Sequence, residues 1–247
     1  MLSNHLATIF LSSPLRRWVL LLLLLLGLRP AAHATDYYWV GGAGQWNDLA
    51  HWASSSGGAS SAPQVPQSTD NVYFDANSFA TGNESVTIDG TVTCFDMDWT
   101  GAVHSLAPSG STAGARLVGN GTVEVNGDLH LQSGMGRQDV NFSLLAATPG
   151  HVIDLQAVPL KGWLSFDSKP GGWLFSSDAS LVQAGSTPSL LLNTGTIDFG
   201  TALVSCSGVR STGSQYRDDE VERAAIGRHG RLVPAARGIA LVAQSLG

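Results

Sequence analysis

The chain has 247 residues and a formal net charge of −6, length enough for one or two domains. From Asp36 to Ser207 only four basic residues, Arg116, Arg137, Lys161 and Lys169, stand against fifteen acids. That balance excludes nucleic acid as a partner, since binding it requires a basic face, and two cysteines, Cys94 and Cys206, cannot build a disulfide framework.

The first element is a leader. Arg16 and Arg17 precede an apolar run from Trp18 to Leu28, and Ala32-His33-Ala34 supplies the small-x-small pattern of a signal-peptidase site. The run is short of the roughly 20 residues that span a bilayer. Residues 1–34 therefore read as a cleaved signal peptide, with a membrane anchor as the lesser alternative. The mature chain is expected to be secreted or displayed at the cell surface, with no stable membrane span after cleavage.

The stretch "YYWVGGAGQWNDLAHWA" follows, from Tyr37 to Ala53. It sets Trp39, Trp46 and Trp52 among glycines. Residues 36–80 read as an aromatic, glycine-rich cap, in which the indoles cover an open core and the glycines let the backbone turn sharply. The rival reading is a carbohydrate-binding face, with the same three indoles exposed for stacking on sugar rings.

After residue 35 helical periodicity is nearly absent. Short alternating segments replace it, among them "SVTID" (85–89), "TVTCFDMDW" (91–99), "GTVEVNGDLHLQ" (121–132), "HVIDLQ" (151–156) and "GWLSFDS" (162–168). Period-two alternation marks strands with one buried face, and Gly, Ser, Asn, Asp or Pro punctuate them. Some segments echo one another without a fixed period. Gly90-Thr91-Val92, Gly121-Thr122-Val123 and Gly195-Thr196-Ile197 each open a strand, and "GWLSFDS" resembles "GWLFSSD". The chain is therefore expected to be all-β. A right-handed β-solenoid over 81–207 tolerates such irregular spacing; a β-sandwich is the alternative.

The aromatic-glycine string, then Pro63 and Pro66, "DNVYFDANSF" (70–79) and "TVTCFDMDWTG" (91–101) resemble the N-terminal region of large secreted surface proteins of Bacteroidota. Those proteins are often exported by the type IX route. The resemblance spans about 36 to 207. It implies an adhesin-like β-solenoid at the cell surface, and it carries no catalytic residues. It also implies a longer protein, of which this chain is a fragment.

Composition breaks at Gly208. Six arginines follow (Arg210, Arg217, Arg223, Arg228, Arg231 and Arg237), where 36–207 holds two. Residues 208–247 are expected to be disordered or weakly helical, and a frameshift in a longer gene would account for the break. A basic arm or a helical cap is the other reading. If the last coil is uncapped, its open end predicts self-association.

Candidate chemistry is sparse. Asp96 and Asp98 flank Met97, so on a strand they share one face and are positioned to meet a cation or a sugar. They join Trp39, Trp46 and Trp52 as candidate ligand residues in the carbohydrate-binding or polysaccharide-active alternative. The histidines lack metal-ligand spacing, His130 is expected to face water, and His51 to be a packed, hydrogen-bonded ring. No catalytic set, metal site or cofactor is expected. The function read from sequence is an exported scaffold whose partners are extracellular polysaccharide or other surface proteins.

Overall fold

The computed structural model describes residues 34–102, 114–181, 189–211, 225–227, 231–233 and 240–243. The leader expected before Ala34 and most of 208–247 lie outside the described residues. Among the described residues no helix is long and apolar enough to cross a membrane. The chain is all-β, in a 13-stranded, mostly parallel sheet and two smaller sheets of five and three strands.

The chain enters through β1 (Asp36–Trp39), β2 (Gly44–Gln45), β3 (Trp52–Ala53) and β4 (Asn71–Tyr73). It then repeats one itinerary. β5 (Ser85–Ile88), β6 (Thr91–Cys94) and β7 (Met97–Asp98) are followed by β8 (Arg116–Gly119), β9 (Thr122–Val125) and β10 (Leu129–His130). Each pairs in parallel with its counterpart one pass earlier. The next pass supplies β11 (Asn141–Leu144) and β12 (His151–Asp154). After β13 (Pro159–Leu160), the long β14 (Leu164–Phe175) serves two neighbours, its first half pairing β11 and its second half β12. β15 (Ala179–Leu181), β16 (Leu190–Asp198), β17 (Val204–Cys206) and β18 (Val209–Ser211) continue the series, again in parallel.

The register is what gathers the core. Tyr37, Val72, Met97, Leu129, Ile153 and Phe175 fall in one row across six strands. Val92, Val123, Phe142, Leu164 and Leu190 form a second row. Every one of these side chains is buried. Each stabilises the fold by about 1.5–3 kcal/mol relative to exposure. A one-residue slip would turn a whole row outward, so the alternation in sequence holds the register. The residues next to the first row point out: Tyr38, Tyr73, Asp98, His130 and Asp154 line up on adjacent strands.

One position has no strand to fill it. Between β8 and β13 stands Gln138, fully buried. Its backbone N–H donates to Pro159 O at 2.8 Å. Its side-chain Oε1 accepts from Leu117 N at 2.7 Å, and its Nε2 donates to Gly136 O at 2.6 Å. One residue thus bridges the two smaller sheets: its side-chain amide reaches β8 and its backbone N–H reaches β13.

Antiparallel pairing occurs at the margins. β3 lies against β1. Among the described residues after 211, β19 (Ala225–Gly227) pairs β20 (Arg231–Val233), which pairs β17, and β21 (Ala240–Ala243) pairs β16. Those described residues run as strands. An open sheet edge offers them hydrogen-bond partners.

The structure also sorts the apparent repeats. Thr91 and Val92 do stack on Thr122 and Val123. Thr196 and Ile197 instead pair with Gly172 and Trp173, on the row of β12. The two Gly-Trp-Leu segments are out of phase: Leu164 is buried and its counterpart Leu174 is 40% exposed.

Candidate functional site

Trp39 and Trp52 face each other across β1 and β3, and Trp46 follows β2 directly. All three are at most 1% exposed. The Trp52 ring meets Trp39 edge-on at 5.1 Å and Trp46 at 4.9 Å, and Phe74 packs beneath all three. The Trp39 indole donates to Gly42 O and the Trp52 indole to Trp46 O, both at 2.7 Å. His51 stacks on Trp39 at 4.6 Å with its Nδ1 2.8 Å from Val40 O. The rival reading has these indoles exposed for stacking on sugar; all three are instead buried, their faces packed on one another and on Phe74.

The neighbouring glycines follow from this packing. Gly41 and Gly42 take φ of +83° and +76°, which favours glycine. A Cβ at Gly44 would lie 2.1 Å from His51 Nε2. The backbone must run that close to the ring for the cluster to close.

Asp96 and Asp98 both point outward, as their spacing predicts, but they do not converge on one point. Asp98 Oδ1 accepts from Thr100 N at 2.6 Å, closing a local turn. Asp96 Oδ1 accepts from Asp128 N at 2.7 Å on the next pass. Burial pushes the Asp96 carboxyl above the usual carboxylate range. The Asp128 charge adds to the rise, while the Asp128 N–H bond and the neighbouring His151 and His130 oppose it.

Asp96 leads to a constellation that sequence reading missed. Asp128 Oδ1 accepts from Val152 N at 2.9 Å and lies 3.0 Å from His151 Nδ1. His151 Nε2 lies 3.1 Å from Thr148 Oγ1. A carboxylate can only accept, so Nδ1 carries a proton, and in the neutral ring Nε2 is the acceptor for the Thr148 hydroxyl. The His151 side chain is 15% exposed, and Phe95 meets it edge-on at 6.1 Å. His130 stands beside the group, its Nε2 3.9 Å from Asp128 Oδ2 and its side chain 31% exposed. Asp128 and His151 are 23 residues apart, one pass of the chain, a distance at which no local motif links them. Only Thr148 and His151, three apart, offered a local signal.

A second polar cluster lies on the row of β11, β14 and β16. The Ser143 hydroxyl donates to Asp167 Oδ2 at 2.9 Å, and the Ser165 hydroxyl and Asn193 amide also donate to Asp167. It ties three successive passes together. Cys94 and Cys206 are free thiols, both buried, and burial pushes both thiols up from their ordinary value. Among the described residues no group of three or more His, Cys, Asp and Glu side chains is placed to hold a metal ion. Comparison with protein-family models, with curated proteins and with solved structures finds no match.

Proposed function

We propose that this chain is a right-handed β-solenoid that serves as an exported, adhesin-like surface scaffold. The observation that carries the reading is the pair of buried rows, which run in parallel register through successive passes. A sandwich built of hairpins would pair its strands antiparallel. Parallel strands joined by crossovers are right-handed in almost all cases. Such stacking produces a long lateral surface at little cost in sequence complexity. The outward row from Tyr38 to Asp154 is the face that meets surface polysaccharide or other surface proteins.

The aromatic cluster plugs one end of the core, and the strongly acidic body suits a solvated external surface. Self-association runs through the second row, whose terminal strands β6 and β18 each have one ladder partner among the described residues. The test is expression of the full chain in a secreting bacterial host. The expected product lies in the medium or on intact cells and begins at Thr35. Retention inside the cell with residues 1–34 attached would overturn the reading.

A further inference from the structure

We propose that Thr148, His151 and Asp128 form an acyl-transfer site, with Thr148 as the nucleophile. Four observations point there. The hydroxyl-to-imidazole and imidazole-to-carboxylate distances, 3.1 Å and 3.0 Å, both fall in the range that marks a nucleophile, a base and its orienting group. The base is fixed: His151 uses both ring nitrogens, and Phe95 flanks it. The nucleophile is accessible, since Thr148 is exposed. The orienting carboxylate is itself held, Asp128 Oδ1 taking the Val152 N–H as well.

The ligand class is a small ester able to approach an open turn. Thr148 Oγ adds to the ester carbonyl as its proton passes to His151 Nε2. The carbon–oxygen bond to the leaving alcohol breaks, that oxygen takes the proton from His151, and the acyl group remains on Thr148. Water then adds to the acyl carbon with His151 taking its proton. The Thr148 oxygen leaves with that proton, releasing the carboxylic acid. Asp128 touches no reacting atom and acts as a positioning residue by holding the ring tautomer.

An aryl ester is the suitable probe, because its leaving group departs without needing a strong acid. The full chain is incubated with p-nitrophenyl acetate, nitrophenolate release is followed, and the acetyl group is located by peptide mass mapping. The expected result is acetyl on Thr148, absent in Thr148→Val. The rate should fall about a hundredfold in His151→Gln. Asp128→Asn should alter the shape of the pH profile as well as the rate, which a purely structural role would not do. Thr148 is exposed, so Thr148→Val keeps the test informative if the other two variants fold poorly. Acetyl found only on Lys161, Lys169 or the amino terminus overturns the proposal. So does acetylation of Thr148 that proceeds unchanged in a folded His151→Gln protein.

Discussion

Replacing Gln138 with Leu isolates what one amide does for the fold. Leucine is close in volume, so the change leaves little cavity. It removes the acceptor of the Leu117 N–H and the donor to Gly136 O, at 2.7 Å and 2.6 Å in the native protein. Gln138 is fully buried, so water cannot readily replace either bond. Each orphaned group costs about 1–3 kcal/mol, and the added apolar contact offsets part of the sum. A net loss of about 2–4 kcal/mol follows. At roughly 2–4 °C per kcal/mol for a domain of this size, Tm should fall by about 4–16 °C. Urea unfolding followed by tryptophan fluorescence measures the free energy directly. Gln132→Leu is the control, since Gln132 Oε1 serves only a part-buried loop N–H, that of Gly101. A Gln138→Leu protein within about 0.5 kcal/mol of wild type, the range of an ordinary surface change, would refute a stabilising role for the side-chain amide.

Gly44→Ala should destabilise the protein by about 1–3 kcal/mol through overpacking against His51. The loss should shrink when His51→Ala is made alongside it, as a double-mutant cycle would read. Asp96 has a folded-state carboxyl pKa raised by burial first, so its ionised form opposes folding at neutral pH and the opposition is relieved as pH falls. Asp96→Asn, which keeps an acceptor for the Asp128 N–H, should raise Tm at pH 7 and lose that advantage on acidification. A constant offset across pH would contradict this. Cys94 and Cys206 should resist alkylation by iodoacetamide at pH 8 in the folded protein and react once it is unfolded in urea. Labelling of the folded protein at the rate of a free thiol would be the contrary result.

Strand content was legible because alternation along "SVTID" or "GTVEV" has one physical cause, a strand with one buried face. Pairing direction was not, since the same alternation serves parallel and antiparallel neighbours. It comes from contacts such as Val92 to Val123 and on to Phe142, which no local window spans. Similar words misled where the phase differed: Leu164 and Leu174 follow the same Gly-Trp pair yet face opposite ways. The burial of the aromatic cluster could be read because indoles beside glycines favour close packing, and His51 sits in it as a packed, hydrogen-bonded ring. Gln138 gave no signal, since a polar residue in a core is recognised only by the partners that satisfy it. Asp128 and His151 were individually visible and jointly invisible, because the register of β10 on β12 is what joins them.

The most direct test of the stacked-coil account is a pair of engineered cysteines. Thr87 and Val118 are opposite one another on β5 and β8. Neighbouring strands lie about 4.8 Å apart, within disulfide reach. Oxidation of Thr87→Cys/Val118→Cys should give an intrachain cross-link, seen as faster migration without reductant. Thr87→Cys/Glu124→Cys, which places the second cysteine on β9 instead, should not. No cross-link in the first protein, or equal cross-linking in both, would contradict the account.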